Sequence, residues 1–236
     1  MISHKLKLII PETPKCGSCS VHEWMLKEDP DLETTDIDAW GKYWPGHRPL
    51  YEHDKLMKDD VSYQRVLVGR NPYTRAVSAF EYCQYAEDVS ALNGLFVQKS
   101  LNDVNFKSWY MNITAPDAWV HPSGTPLAPV DAPDHNYLDG GFRTQKYFAE
   151  GYDDETLFIH LEDGSKQLST ILKMNVSLPY VNSHKKTLEG REYRIGPWEE
   201  YYSDMETVMQ IQLLYKDDFT LWGYAPNINP YTEESW

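Results

Sequence analysis

Residues 13–20, Thr-Pro-Lys-Cys-Gly-Ser-Cys-Ser, form the first segment of this 236-residue chain whose residue types could bind an anion. Small residues let the backbone approach a ligand, and the N–H groups at a helix start can point at phosphate oxygens. Lys15 would add a mobile positive charge near those oxygens. This segment, termed the Lys15 loop, is not a Walker loop, because Gly-Lys-Ser/Thr is absent. A tight turn between a strand and a helix explains the same residues equally well.

Residues 69–78, Gly-Arg-Asn-Pro-Tyr-Thr-Arg-Ala-Val-Ser, form a second candidate anion site, termed the Arg70 segment. Asn71 can cap a helix and Pro72 suits its first turn, so we expect a helix to start here. Ser78 lies seven residues beyond Asn71, on the same helical face. Arg70 and Ser78 could therefore converge on one anion. A salt bridge at a strand end is the alternative for Arg70, and a buried hydroxyl bonded to its own helix is the alternative for Ser78.

The pattern of apolar residues, glycines and prolines predicts the elements that position these two segments. A buried strand precedes each segment and a helix begins within it. Five prolines between residues 115 and 133 exclude regular helix there and predict a surface loop. The predicted strands are Lys5–Pro11, Gln64–Gly69 and Thr156–Leu161, and the predicted helices are Ser20–Lys27, Ser165–Met174 and Glu199–Tyr215. The last helix is amphipathic, and its residues spaced for burial are Met205, Val208, Met209 and Leu213.

Strands separated by helices favour an α/β fold with a mainly parallel central sheet flanked by helices. In such a sheet, ligands bind at the carboxyl ends of the strands, where both candidate segments lie. The length is ordinary for one α/β domain and no linker divides the chain, so we predict a single domain over residues 1–236. Residues 225–236 are expected to form a loosely ordered tail.

The charge of the chain restricts its partners. Asp and Glu outnumber Lys and Arg by 36 to 22, which gives a formal net charge of -14. This charge argues against nucleic acid and anionic membrane surfaces as general partners, so any anion site must be local. No segment has the roughly 18 consecutive apolar residues of a membrane span, and the start does not have the pattern of a signal peptide. We therefore expect a cytoplasmic protein.

The motifs together resemble the PAPS-dependent sulfotransferases, where PAPS is 3'-phosphoadenosine 5'-phosphosulfate. The Lys15 loop is similar to the Pro-Lys-x-Gly-(Ser/Thr)-x-Ser loop of the carbohydrate (Golgi-type, family 2) sulfotransferases, and Arg70 and Ser78 keep the spacing of that family's Arg and Ser. Later segments that resemble the family, in order, are Phe142–Gln145, Phe158–Asp163, Leu178–Ser183, Leu214–Phe219 and Gly223–Tyr224. The resemblance implies a P-loop-like nucleotide-binding fold, without the membrane anchor of the secretory-pathway relatives.

The resemblance also implies which residues hold the cofactor. Arg70 and Ser78 would bind the 3'-phosphate. The residues implied for the 5'-phosphosulfate are Pro14, Lys15, Cys16, Gly17, Ser18, Cys19 and Ser20. Cys19 departs from the family, in which Thr or Ser is commoner at this position. PAPS would be the donor and PAP, its desulfated form, the product, and the implied reaction needs no metal.

His47 is the general base that the resemblance implies, because family members place a His or Glu before the loop that contains the Arg. A histidine titrates near neutrality, and a carboxylate such as Glu52 could orient its second ring nitrogen. Lys15 would stabilise the bridging oxygen as sulfur departs. His53 and Glu23 are alternative bases, and a histidine with no catalytic part is the alternative for any single His.

The resemblance implies a carbohydrate, or another compound with a hydroxyl group, as the acceptor. Neither the acceptor nor the oligomeric state can be read from the sequence. A late basic cluster could close over the cofactor or bind an acidic acceptor, and a solvated basic loop is the simpler interpretation. Its members are Lys185, Lys186, Arg191 and Arg194.

Two other functions compete with sulfuryl transfer. Cys16 and Cys19 have the spacing of a thioredoxin-like redox motif at a helix start. That hypothesis leaves the pairing of Arg70 with Ser78 unexplained. The second competitor is a non-catalytic carbohydrate-binding protein that uses its aromatic residues to bind sugars.

Overall fold

The computed structural model describes residues 1–32, 49–54, 57–58, 61–85, 105–108, 110, 144–179 and 197–227, with the backbone alone at 82–85. The Cα positions group the chain into two compact units. Unit 1 comprises Met1–Arg70 and Gln145–Tyr193, and unit 2 comprises Asn71–Thr144 and Arg194–Trp236. One boundary therefore passes through the Arg70 segment. The single domain over the whole chain stays a prediction.

The described residues form seven α-helices and two 3-10 turns. The helices are α1 (Ser18–Glu28), α2 (Leu50–Asp54), α3 (Pro72–Tyr85), α4 (Gln145–Ala149), α5 (Gly164–Leu172), α6 (Met205–Leu214) and α7 (Lys216–Trp222), and the 3-10 turns span Leu161–Asp163 and Trp198–Tyr201. The helices predicted after the Lys15 loop and after the third strand are confirmed as α1 and α5. Asn71 caps α3 as expected, because its side-chain oxygen accepts from the Tyr73 N–H at 2.9 Å.

Unit 1 contains a four-stranded, mostly parallel sheet. Its strands are β1 (Ile2–Ser3), β2 (Leu8–Ile9), β3 (Gln64–Gly69) and β4 (Leu157–His160), in the spatial order β1-β2-β3-β4. Strand β3 pairs in parallel with both β2 and β4, whereas β1 is antiparallel to β2. The described structure is thus mixed α/β with a mainly parallel sheet, as predicted.

The first predicted strand, Lys5–Pro11, is wrong at its start. The chain forms a hairpin instead, in which Ile2 pairs with Ile9 and Ser3 with Leu8. Lys7 adopts a left-handed conformation, with φ of 53°, and this closes the turn before β2. Because of this turn, β2 is shorter than expected. The alternation of apolar residues could not reveal a turn made by a residue other than glycine.

The core of unit 1 forms on both faces of the sheet, as is usual for parallel strands. On one face, apolar side chains of alternating strand positions pack against α1 and α5. This cluster includes Leu8, Ile10, Val66, Val68 and Ile159 from the sheet region with Val21, Trp24, Met25 and Leu168 from the helices. Ile9 and Leu67, whose side chains point to the opposite face of the sheet, are also fully buried. The packing fixes α1 at the carboxyl end of β2.

Unit 2 has a core rich in aromatic residues. Tyr73, Val77 and Phe80 on α3 recur at helical spacing and belong to one buried cluster. The Tyr110 hydroxyl donates to the Tyr215 hydroxyl at 2.6 Å inside this cluster. These contacts anchor α3, the helix that follows the Arg70 segment.

The chain after α7 returns to this core. The carbonyl oxygen of Pro226 accepts hydrogen bonds from the Tyr73 hydroxyl and, at 2.6 Å, from Gln212 Nε2. The beginning of the predicted tail is therefore held in place, and residues 228–236 lie outside the described residues.

The predicted long helix Glu199–Tyr215 is wrong at its start. Asp204 has an extended backbone, with φ of -146°, and its carboxylate accepts from the Thr207 N–H at 3.1 Å. This side chain caps a new helix at Met205, because an Asp at the cap position satisfies an otherwise unbonded N–H. The preceding residues form a separate 3-10 turn, Trp198–Tyr201.

The buried face of α6 also differs from the prediction. Val208 is buried as expected, but Met205, Met209 and Leu213 are 40%, 61% and 75% exposed. The buried positions, besides Val208, are Thr207 and Ile211. Both sets have helical spacing, so the position of the aromatic core decided which one is buried.

Candidate functional site

The Lys15 loop connects the carboxyl end of β2 to α1 through a compact turn. The Cys16 N–H donates to the Thr13 carbonyl at 3.2 Å. Lys15 and Gly17 have positive φ, 64° and 76°, while Cys16 between them does not. Left-handed residues within a turn can direct successive N–H groups towards one concavity, an arrangement that binds anions in many proteins. The loop is therefore a tight turn between a strand and a helix, and anion binding by it stays a prediction.

Gly17 is required at the start of α1 for two reasons. It occupies the cap position in a left-handed conformation, and no side chain caps the helix there. A Cβ atom at Gly17 would lie 2.3 Å from Leu161 Cδ1. The first N–H groups of α1 precede its earliest helical hydrogen bond, from the Val21 N–H to the Gly17 carbonyl at 3.1 Å. An anion beside the loop would find these N–H groups at the positive end of the helix.

Arg70 lies directly beside the Lys15 loop. It directly follows β3, which runs parallel to β2; Ile9, the last residue of β2, pairs with Arg65, four residues before the end of β3. Its guanidinium Nη1 donates to the carbonyl oxygen of Lys15 at 3.2 Å. Two residues predicted to bind different ends of the same cofactor are therefore in direct contact, although 55 residues separate them in sequence.

Gln145, for which the sequence predicted no role, joins the Lys15 loop to the end of β3. Its side-chain oxygen accepts from the Arg70 backbone N–H at 2.7 Å and from Cys16 Sγ at 3.1 Å. Its Nε2 donates to the Arg70 carbonyl at 2.8 Å. The only sequence signal for Gln145 was its place at the end of the Phe142–Gln145 segment, of which residues 142–143 lie outside the described residues.

Glu12 is a second residue that the sequence analysis did not single out. It lies between β2 and Lys15 and is only 2% exposed. Burial raises the pKa of the Glu12 carboxyl to about 8, and the amino group of Met1 opposes this shift. Glu12 is therefore mostly protonated at neutral pH, so it adds little negative charge to a loop suited to anions. An acidic residue directly after a buried strand is the pattern that could have revealed it.

Ser78 belongs to unit 2, on α3, and is buried. The start of its helix is well defined, since the Asn71 carbonyl accepts from the Arg75 N–H at 2.9 Å and from the Thr74 hydroxyl at 3.0 Å. The convergence of Ser78 and Arg70 on one anion stays a prediction.

The predicted base, His47, lies outside the described residues. Its proposed orienting residue, Glu52, lies on the short helix α2. The alternative base His53 is fully buried on the same helix, with Nδ1 3.1 Å from the Pro49 carbonyl oxygen, so an acceptor could not reach it without rearrangement. The other alternative, Glu23, is exposed on α1.

The two cysteines of the possible redox motif lie in different environments. Cys16 is buried and its thiol donates to Gln145, whereas Cys19 is exposed on the first turn of α1. In thioredoxin-like sites the first cysteine is the accessible, acidic thiol at the helix start. The arrangement here does not favour that chemistry.

Several predicted site segments lie outside the described residues, among them the late basic cluster at residues 185, 186, 191 and 194 and the proline-rich segment 115–133. Within the described part of the chain, no group of three or more His, Cys, Asp or Glu side chains is arranged to hold a metal ion. No helix among the same residues is both long and apolar enough to cross a membrane. Comparison of the chain with protein-family models, curated proteins and solved structures gave no match.

Proposed function

We propose that this protein is a PAPS-dependent sulfotransferase with a P-loop-like nucleotide-binding fold. The observation that carries the proposal is the contact between Arg70 and the Lys15 loop, each of which follows one of two parallel strands. The carboxyl ends of parallel strands are the usual ligand position in α/β sheets. A cationic side chain, a loop with alternating backbone conformation and a helix start all lie at this one position.

The residues present there fit a nucleotide with two anionic ends. The loop and the start of α1 offer backbone N–H groups, and Lys15 carries a flexible ammonium group that suits phosphate oxygens. Arg70 offers a planar guanidinium, which binds phosphate through two parallel hydrogen bonds. Burial keeps Glu12 largely uncharged beside them. Lys15 and Arg70 would provide local positive potential on a chain of net charge -14.

When bound, PAPS would supply a sulfuryl group attached to a good leaving phosphate. In the proposed reaction, the acceptor oxygen forms a bond to sulfur as the bond between sulfur and the phosphate oxygen breaks. His47 would take the proton of the acceptor hydroxyl, and Lys15 would neutralise the charge that develops on the phosphate oxygen. We propose a carbohydrate hydroxyl as the acceptor, on the resemblance of the motifs alone.

Calorimetric titration with PAP tests the proposed cofactor directly. ATP and AMP are the controls, because both lack the 3'-phosphate that Arg70 and Ser78 would bind. We expect PAP to bind more tightly than either control. Equal binding of the three nucleotides, or no binding of PAP, would contradict the proposal.

Two substitutions separate cofactor binding from catalysis. Arg70→Ala should weaken PAP binding, by about tenfold or more for a lost charge-assisted contact. His47→Ala should leave PAP affinity unchanged and abolish sulfuryl transfer, because a base acts on the acceptor and not on the nucleotide. Titration with PAP and a transfer assay with labelled PAPS measure the two effects. An equal loss of PAP binding in both variants would show that the two roles are wrongly assigned.

A further inference from the structure

Arg70 lies at a point where the sheet no longer supplies hydrogen-bond partners. Strand β3 ends at Gly69, whose register partner on β4 is His160. The next residue still carries a backbone N–H and C=O that need partners when they are shielded from water. The side-chain amide of Gln145 bonds both groups of Arg70, at 2.7 and 2.8 Å. One glutamine thus continues the pattern of hydrogen bonds by one residue beyond the strand.

The same amide also holds the Lys15 loop. The oxygen of Gln145 that accepts from Arg70 accepts as well from Cys16 Sγ, at 3.1 Å. A carbonyl oxygen has two lone pairs, so it can accept both bonds at once. Gln145 is fully buried at the first position of α4, which leaves its side chain little freedom. The side-chain oxygen of Gln145 therefore holds both the Arg70 backbone and the Cys16 side chain in place.

We propose that Gln145 is a positioning residue that sets the spacing between the Lys15 loop and Arg70. This inference rests on the proposed function, in which the loop binds the 5' end of the nucleotide and Arg70 binds its 3'-phosphate. The affinity of a ligand held at two ends depends on the match between its own span and the spacing of the two sites. Gln145 would thereby favour nucleotides that carry both phosphates over those with a 5'-phosphate alone.

The test compares PAP with AMP, which differ only in the 3'-phosphate, on the full-length protein. Gln145→Met keeps the approximate size of the side chain and removes all three hydrogen bonds. Gln64→Met is the matched control. Gln64 is the first residue of β3, at the end far from Arg70, and its side-chain amide donates to the carbonyls of Arg65 and Glu155. Should Gln145→Met fail to fold, Gln145→Asn keeps the amide on a shorter side chain and takes its place.

We expect Gln145→Met to lower the preference for PAP over AMP by about tenfold or more, the scale of a hydrogen bond to a charged group. Binding of AMP itself should change by less than about threefold, and Gln64→Met should keep the wild-type preference. In an Arg70→Ala background, Gln145→Met should cause no further loss of preference. Without nucleotide, the Arg70 backbone amide should exchange its hydrogen faster in Gln145→Met than in wild type.

The outcomes separate this inference from the proposed function. A wild-type protein that does not bind PAP would refute the proposed function, and the inference with it. Wild-type binding combined with an unchanged preference in the folded Gln145 variant would refute the inference alone. Unchanged hydrogen exchange at the Arg70 amide would also overturn the inference, because Gln145 would then not hold the Arg70 backbone in place. An equal loss of preference in Gln64→Met would overturn it as well, because the effect would then not be specific to Gln145.

Discussion

Replacement of Glu12 by Gln tests whether the buried carboxyl between β2 and the Lys15 loop is neutral. Glu12 is 2% exposed, and its burial raises the pKa of the carboxyl from 4.5 to about 8. The folded protein therefore holds a proton on Glu12 over a pH range in which the unfolded chain releases it. The contribution of Glu12 to the free energy of unfolding should therefore be most favourable below pH 4.5. It should become less favourable as the pH rises towards about 8.

The size of the effect follows from the two pKa values. One pKa unit corresponds to about 1.4 kcal/mol, so a pKa raised from 4.5 to about 8 lowers stability by on the order of 5 kcal/mol between the ends of this range. Glutamine has nearly the same shape and cannot ionise. Glu12→Gln should therefore match wild type near pH 4.5 and become progressively more stable than wild type up to pH 8 and above.

Urea denaturation at pH 5, 6.5 and 8.5 measures this difference in unfolding free energy. The Met1 amino group, whose pKa burial lowers to about 6 and Glu12 raises, titrates differently in the two proteins, so the pH dependence of the difference reports on this coupled pair. Glu23→Gln is the control, because Glu23 is an exposed glutamate on α1 of the same unit. Removing Glu23 takes away an interaction that raises the pKa of His22, and any pH dependence in this variant should be smaller than that of Glu12→Gln. A difference for Glu12→Gln that is independent of pH would refute the argument that burial keeps this carboxyl protonated.

Two further substitutions test local features of the fold. Gly17→Ala should lower the unfolding free energy by about 1–2 kcal/mol, because it forces a Cβ into a left-handed conformation, with an added clash against Leu161. In a Leu161→Ala background the clash disappears but the conformational cost should remain, and urea denaturation that showed no loss there would contradict this explanation. Asp204→Ala should cost about 1 kcal/mol through the lost cap of α6, whereas Asp204→Asn should retain most of that stability in thermal melts. Equal losses in the two Asp204 variants would instead indicate that the ion pair with Lys107, at 3.2 Å, is the important contact.

Local signals correctly predicted β3 and the helices that follow the two candidate segments. The apolar run at β3, the Asn-Pro pair before α3 and the small residues before α1 act through backbone preferences of neighbouring residues. They correctly indicated that Lys15 and Arg70 follow parallel strands. The prediction of the buried face of α6 failed, because two sets of residues on that helix both had helical spacing. Either of two faces of α6 had helical spacing, and only the position of the aromatic core selected Val208 and Ile211 over Met209 and Leu213.

The sequence by itself determined which residue types are available at the site and which strands and helices carry them. The tertiary structure alone decided the contacts that hold the site together. Gln145 meets Arg70 across 75 residues and Cys16 across 129. Glu12 is kept largely neutral by the packing around it. Such properties depend on burial and on side chains that approach from distant segments, whereas periodicity and turn signals report only on neighbours along the chain.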